Sequence, residues 1–407
     1  MTKAQILGRW KRLEIELSAR GIEAREIILA LRELYSIYDK SMLKWLGSLF
    51  DSDIGGFYYS DSAAENDGFF PDIESTGQAI GILEKTGIIN SYRDIPETVR
   101  SRIACFICSC EDSVSGYFYN PQWSREDTDK KISRRSRDSR WAVDIAKMCN
   151  FEVPYPTVFA KIESGSRDNL PDYLKTKENF VDFLYSLDVK DELYRNIHML
   201  VSQFDQISKL GYTDAAIDFM ESLRNPETHR FCDENASKMA ELKVIRGVAY
   251  AYYLSGRKMP YCEECADLAA ECIDDGEFKT MADISACWDA FAKSVCILSA
   301  FGSAEEKKKA EAILKKYIAK LPDYICNTAE ALTLFKKSDS SFSYNKDGSS
   351  LTSQGMVVSK GTNEGDVNGT ILAVGIPSRI ISLLSLRDDT IPIYDFDDFE
   401  LFLKSMK

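Results

Sequence analysis

The chain has 407 residues, an apolar fraction of 44% and a formal net charge of -13. This length suffices for one large domain with a substantial core, and no Pro-, Gly- or Ser-rich linker divides the chain. The acidic balance argues against non-specific binding to nucleic acid or to an anionic membrane, because both require clustered Lys and Arg side chains.

The N-terminal segment, residues 1–11, leads into a charged amphipathic helix and lacks the apolar stretch of a signal peptide. No run of about eighteen uninterrupted apolar residues is present. The 11 cysteines are an odd number scattered through helical segments, which is typical of a reducing compartment. We therefore expect a cytoplasmic protein with free thiols, no cofactor and no metal.

Helical periodicity dominates the chain, and strand-like alternation is almost missing. Residues 24–50 place apolar side chains three and four positions apart, as a core-facing helix or helix pair requires. The same spacing occurs in segments 76–83, 98–110, 138–148, 178–187, 192–204, 214–223, 238–254, 262–273, 282–299, 305–321, 328–336 and 367–384. The pattern predicts an all-α protein of about twelve helices.

One phrase occurs three times: a glycine-aromatic or aromatic turn, a polar loop with acids, and an apolar helix with an acid near its start. The copies cover residues 55–79, 116–144 and 342–370, and the third is the loosest. Repetition of a helix-loop-helix phrase predicts an array of hairpins, because one hairpin cannot bury its own apolar face.

Pairing the segments by this phrase predicts six hairpins, each with an outer and an inner helix. The outer helices are expected to end near Phe50, Cys110, Leu187, Leu223, Ile273 and Lys336. The inner helices are expected to begin near Asp72, Asp138, Glu192, Met239, Asp283 and Asp366. The predicted organisation is one domain, with N-terminal helices in residues 1–40, hairpins in 41–384 and a C-terminal helix in 385–407.

The first copy resembles the repeat of the terpenoid cyclase and protein prenyltransferase type of α/α toroid. An outer helix is followed by the turn Gly55-Gly56-Phe57 and by an inner helix that contains Ser75-Thr76. The resemblance is clear over residues 41–148 and 328–384. It implies an (α/α)6 toroid, in which six inner and six outer helices surround a central cavity.

The catalytic motifs of that family are not in place. His198 and His229 do not follow the segment 283–287 as the zinc site of the prenyltransferases requires. The acidic motif of residues 395–398 lies close to the C-terminus, where it is typical of the capped start of a terminal helix. The resemblance therefore predicts the architecture without the chemistry.

Acidic residues gather at the predicted starts of the inner helices, where free backbone N–H groups favour polar ligands. Two carboxylates across a pocket can act as general acid and base, as in glycosidases. The catalytic candidates are Asp72, Glu74 and Asp366. The candidate ligand-binding residues are Tyr58, Tyr119, Trp123, Asp138, Arg140 and Asn368. The alternative for each acid is a helix cap worth about 1 kcal/mol, and for the aromatic residues plain loop packing.

Other constellations are weaker. The cysteines at 105, 108 and 110 and at 262 and 265 have zinc-like spacing, but both sets lie inside helical patterns and are expected to be buried thiols. His198 lies in an apolar helix and is expected to be a satisfied core residue.

Three classes of function stay open. A glycan-processing hydrolase or lyase requires at least two carboxylates facing each other at the toroid mouth. An isoprenoid-binding, cyclase-like protein requires a deep aromatic cavity with one acid of raised pKa. A noncatalytic scaffold uses its acids as caps and salt bridges around a filled or shallow centre. The polar starts of the inner helices favour the first class, with a small molecule or glycan as ligand; the oligomeric state stays open.

Overall fold

The structure, a computed structural model, describes residues 1–406. Within them it contains 21 α-helices and two hairpins of two-residue strands, so the all-α prediction is confirmed. The first ten helices are α1 Lys3–Ala19, α2 Ala24–Ser36, α3 Ser41–Ser48, α4 Asp61–Ala64, α5 Ile73–Lys85, α6 Glu97–Ser109, α7 Arg125–Lys130, α8 Ile132–Cys149, α9 Val158–Glu163 and α10 Asp172–Lys175.

The remaining elements follow the same helical pattern. The helices are α11 Lys177–Ser186, α12 Leu193–Ser202, α13 Phe204–Lys209, α14 Thr213–Ser222, α15 Lys238–Ser255, α16 Cys262–Asp275, α17 Met281–Phe301, α18 Ala304–Tyr317, α19 Leu321–Thr333, α20 Val367–Ser385 and α21 Phe399–Leu403. The antiparallel strand pairs are β1 Phe50–Asp51 with β2 Gly56–Phe57, and β3 Thr352–Ser353 with β4 Met356–Val357.

Six of these helices contact one another in a closed cycle. Helix α5 packs against α8, α8 against α12, α12 against α15, α15 against α17 and α17 against α20, and α20 returns to α5. Five of the six begin within two residues of the predicted inner-helix starts. The helices that precede them, α3, α6, α11, α14, α16 and α19, end within three residues of the predicted outer-helix ends.

The repeated phrase corresponds to one recurring hydrogen bond. The backbone N–H of the aromatic residue in each turn donates to a hydroxyl on the following helix of the cycle. The three bonds are Phe57 to Thr76 at 3.0 Å, Phe118 to Ser139 at 3.2 Å and Phe342 to Thr370 at 3.0 Å. All three phenylalanines are buried, so the hydroxyl satisfies an amide that water cannot reach.

The predicted helix start near Asp138 is wrong. In the first and third copies the hydroxyl residue lies four positions after the helix caps Asp72 and Asp366. Four positions before Ser139 the chain has Arg135, and Asp138 lies in the second turn of α8. The prediction failed because α8 extends further toward the N-terminus than its counterparts, over a polar stretch without apolar periodicity.

Helix α20 contains Pro377, which has no backbone N–H to donate to the carbonyl of Ala373. The hydroxyl of Tyr38 donates to that carbonyl at 2.9 Å, and Tyr38 is itself buried. A side chain from the segment after α2 thus replaces the bond that proline removes, and the helix continues to Ser385.

The first and last copies of the phrase are tied together by Glu364. Its carboxylate accepts hydrogen bonds from the Ser60 hydroxyl at 2.9 Å, the Ser62 backbone N–H at 2.6 Å and the Ser349 hydroxyl at 2.8 Å. The backbone N–H of Val367 donates to the carbonyl of Tyr59 at 3.0 Å. These bonds join the loops that lead into α5 and α20, the pair that closes the cycle.

Helices α17 and α20 are long and apolar enough to span a bilayer by length and composition alone. In this structure 78% and 67% of their apolar windows are buried inside the protein, as in core helices. The 11 cysteines all lie within residues 1–406 and are free; Cys105 is exposed, contrary to the expected burial.

Candidate functional site

A cavity of about 610 Å³ lies within the cycle of six helices. Each of the six contributes at least one side chain with a polar or charged end to its wall. One such residue from each helix, in chain order, is Lys85, Arg140, His198, Arg246, Lys293 and Arg379. The centre of the cycle is therefore open and polar.

The wall of this cavity carries an excess of positive charge. Six cations line it, namely Lys85, Arg137, Arg140, Arg246, Lys293 and Arg379, against three carboxylates, Asp144, Asp289 and Asp388. The whole chain has a formal net charge of -13, so the charge balance of the cavity wall is opposite in sign to that of the chain. Cations in a concave, poorly solvated site favour an anionic ligand.

Asp289 holds three of these cations. Its carboxylate accepts from Arg246 Nε at 3.0 Å, from Lys293 Nζ at 3.1 Å and from Arg379 Nε. Burial alone would raise the pKa of Asp289, but Arg379, Lys293 and Arg246 together hold it well below the ordinary value. Asp289 is thus a fixed anion that orients the two guanidinium groups and cannot serve as a proton donor.

His198 lines the cavity and has no hydrogen-bond partner at Nε2. Its ring lies 4.3 Å from that of Tyr194, centroid to centroid. Burial, followed by the charge of Arg246, lowers the pKa of His198 to about 3, so the imidazole is neutral. The expectation of a satisfied core histidine is wrong, because Nε2 of this neutral ring is buried without a hydrogen-bond partner.

Two of the predicted ligand-binding residues, Arg140 and Asn368, line the cavity. Arg140 donates to the Tyr250 hydroxyl at 3.2 Å and approaches Asp144 at 3.6 Å. The side-chain oxygen of Asn368 accepts from Gln78 at 3.2 Å. Both groups keep further hydrogen-bonding capacity, as a ligand contact requires.

The predicted acids Asp72, Glu74 and Asp138 meet around one buried guanidinium. Arg134 contacts Asp72 at 2.6 Å, Asp138 at 2.9 Å and Glu74 at 3.5 Å, and its side chain has no exposed surface. The ring of Trp123 covers this guanidinium at 4.3 Å. These acids lie outside the lining of the cavity, and Arg134 takes up their charge.

The cluster around Arg134 contains more carboxylates than cations. Glu74 has a second partner, Arg137, and although burial alone would raise its pKa, Arg137 and Arg134 keep that pKa below the ordinary value. Burial raises the pKa of Asp138 to about 7 in spite of Arg134, and Asp72 adds to the rise. A proton on Asp138 leaves two carboxylates against two cations, which makes the buried cluster neutral.

Asp366 caps the start of α20. One carboxylate oxygen accepts from the Gly369 backbone N–H at 2.7 Å, and the other accepts from the Tyr344 backbone N–H at 2.7 Å. Burial raises the pKa of Asp366 to about 6, against the lowering effect of these bonds. Like the acids around Arg134, Asp366 does not line the cavity, and its catalytic role stays a prediction.

The aromatic residues that were predicted to form the walls of the binding site lie outside the central cavity. The hydroxyl of Tyr58 donates to Asp51 at 3.0 Å, and that of Tyr119 donates to Asp129 at 2.9 Å. With Trp123 over Arg134, these residues pack the loops and do not line the cavity. Aromatic side chains that do line it are Trp141, Tyr194, Tyr250, Tyr253 and Tyr344.

A second cavity of about 930 Å³ lies at the N-terminal ends of α12, α15 and α17. It shares Tyr194 with the central cavity, and its own wall includes Lys243, which pairs with Asp283. Its wall combines lysines and acids with Asn235 and Ser237. The two spaces are therefore adjacent.

A signal for the cavity was present in the sequence. Asp289 and Lys293 are four positions apart on α17, and Arg379 lies on α20, and both helices are predominantly apolar. Charged side chains on helices that are buried all round indicate a polar interior, since an unpaired buried charge is costly.

No protein-family model, curated protein or solved structure matches this chain. Within residues 1–406, no group of three or more His, Cys, Asp and Glu side chains is arranged to hold a metal ion.

Proposed function

We propose that the closed cycle of helices is the inner layer of an (α/α)6 toroid, and that the protein binds and processes an anionic carbohydrate in the central cavity. The resemblance of residues 41–148 and 328–384 to the terpenoid cyclase type of toroid supports the architecture. The concentration of six cations around an open centre supports the ligand class.

The wall of the cavity suits a sugar as well as an anion. Hydroxyl groups of Tyr250, Tyr253 and Tyr344 and the amide of Asn368 offer donors and acceptors for sugar hydroxyls. Trp141 offers an aromatic surface for the apolar face of a sugar ring. The volume of about 610 Å³ is that of an ordinary small-molecule site. The adjoining second cavity gives room for further sugar units and therefore favours an oligosaccharide ligand.

Of the two reactions, elimination fits the cavity better than hydrolysis. Hydrolysis needs one protonated and one ionised carboxylate across the bond, but Asp289 is held as an anion by three cations. Elimination beside the carboxylate of a uronate needs cations on that carboxylate, a neutral base and a hydroxyl donor. Arg379 and Arg246, His198 and the cavity tyrosines supply groups of these types.

In this elimination, a base removes the proton from the carbon next to the ligand's carboxylate. The electrons of that C–H bond form a carbon-carbon double bond, the glycosidic C–O bond breaks, and the departing oxygen takes a proton. An anionic ligand also offsets the charge of Arg246, one cause of the low pKa of His198.

The other two classes of function explain fewer features of the cavity. An isoprenoid diphosphate would use the cations at one end, but the wall offers no long apolar surface for its tail. A noncatalytic scaffold explains the internal pairing of Asp72, Glu74 and Asp138. It leaves unexplained the excess of cations over carboxylates around an open space.

Calorimetric titration with oligouronates of increasing length, each matched by a neutral oligosaccharide of equal length, tests the proposal. We expect only the charged series to bind, with an affinity that salt weakens. The variant Arg379→Gln should bind this series less tightly. Ultraviolet absorbance of a new double bond identifies elimination, whereas new reducing ends without it identify hydrolysis. Equal binding of the neutral series, or preference for an isoprenoid diphosphate, contradicts the proposal.

A further inference from the structure

Lys85 differs from the other cations of the cavity. Arg137 pairs with Glu74, Arg140 with Asp144 and Asp205, and Arg246, Lys293 and Arg379 all pair with Asp289. Lys85 makes no salt bridge with any acid of residues 1–406, the part of the chain that the structure describes. Five cavity cations thus have an acidic partner within the protein, three of them sharing Asp289, and the sixth has none.

The position of Lys85 brings it close to other cations. It is the last residue of α5, which packs against α20, and the charges of Arg379 and Lys293 act on it. Lys85 is exposed, and it is one of the residues that line the cavity. Asp289, the nearest acid on α17, is already shared among three other cations. The end of a helix favours a cation, but the surroundings oppose one.

The surroundings of Lys85 favour the neutral form of its amine. Burial among protein atoms lowers the pKa of Lys85, and the charge of Arg379 lowers it further. The exposure of Lys85 and this effect are compatible, because the residue lines an open cavity whose wall consists of protein atoms. A lysine next to another cation is one setting in which an amine becomes nucleophilic.

We propose that Lys85 is a reactive amine that forms an imine with the carbonyl carbon of an anionic aldehyde or ketone bound in the central cavity. The nitrogen lone pair attacks the carbonyl carbon and a C–N bond forms. The carbonyl oxygen leaves as water with two protons, so no oxidant or reductant is required. An open-chain sugar acid carries both groups that this step needs.

The cations explain why the carbonyl compound is anionic. An anion bound to Arg379 would come close to the Lys85 amine, because both side chains line the cavity and the charge of Arg379 acts on Lys85. Holding the two reacting groups together makes the attack effectively intramolecular. The inference rests on the proposed function only in requiring that the cavity binds anions.

Pyridoxal 5'-phosphate, an anionic aldehyde, is a direct probe. The intact protein is incubated with it, the imine is reduced with borohydride, and labelled peptides are located by mass spectrometry. We expect Lys85 to be labelled faster than the lysines outside the cavity, because a lowered pKa leaves more of its amine neutral. An oligouronate should compete with this labelling.

Two variants complete the design. Lys85→Arg keeps the charge and should lose the label, with a melting temperature that shows the protein is folded. Lys293→Arg is the matched control, since Lys293 lines the same cavity but is paired with Asp289. In that variant the label should remain on Lys85.

The outcomes separate this inference from the proposed function. Uronate binding without preferential labelling of Lys85 overturns the inference and leaves the proposed function standing. Labelling of Lys85 without any uronate binding supports the inference and overturns the choice of carbohydrate. Failure of both the uronates and pyridoxal phosphate to bind overturns both.

Discussion

Replacing Asp289 by Asn should destabilise the protein and strengthen anion binding at the same time. The carboxylate neutralises part of the charge of Arg246, Lys293 and Arg379, and only 6% of Asp289 is exposed. Removing one partner of a buried ionic group costs about 3–5 kcal/mol of stability, because the remaining charges lose their compensation. The variant should therefore unfold at lower urea concentration.

The gain in binding follows from the charge of the cavity wall. The excess of cations over carboxylates, now three, becomes four. One unit charge at about 10 Å with an effective dielectric of about 20 contributes about 1.7 kcal/mol, somewhat more than tenfold in affinity. Added anion should also restore part of the lost stability, since it binds only the folded state.

Asp144→Asn is the matched control. Asp144 lines the same cavity but is 39% exposed and approaches a single helix neighbour, Arg140, at 3.6 Å. This variant should lose less than about 1 kcal/mol of stability and still bind anions more tightly. Urea unfolding and calorimetric titration measure both quantities. Weaker anion binding in both variants would refute the reasoning that the excess charge recognises the ligand.

Three further substitutions test the buried contacts. Arg134→Met should lower the free energy of unfolding in urea by about 3–5 kcal/mol, because three carboxylates lose the cation that they share, and Arg134→Lys should recover only part of that stability. An unchanged unfolding midpoint for Arg134→Met would show that the cluster does not need this cation. Asp138 has a pKa of about 7 in the folded state, above its unfolded value of about 3.9, so the folded state holds a proton that the unfolded state has lost, and stability falls as pH rises between these values. Asp138→Asn should flatten that fall, and an unaltered slope of stability between pH 5 and pH 8 would contradict the assignment. Tyr38→Phe should cost about 1–3 kcal/mol, because the carbonyl of Ala373, freed by Pro377, loses its donor; wild-type stability would mean that the bond contributes nothing.

The sequence alone determined most of the helical organisation. Apolar spacing placed five helix starts within two residues, and the repeated turn placed a hydroxyl under each aromatic amide. Such signals are local, since a helix face and a capping acid are encoded within a few neighbouring residues. The same reading failed at α8, where a polar first turn hides the true start.

Only the tertiary structure decided which charges meet. Asp72 and Arg134 are 62 positions apart, and Asp289 and Arg379 are 90 apart, yet each pair is in contact. A pattern of residues shows which face of a helix is buried, but a buried charge is stable only with its particular partner. Three of the predicted acids, Asp72, Glu74 and Asp138, therefore pair with Arg134, and the fourth, Asp366, caps a helix. The cations of the central cavity emerged only when six helices were brought side by side.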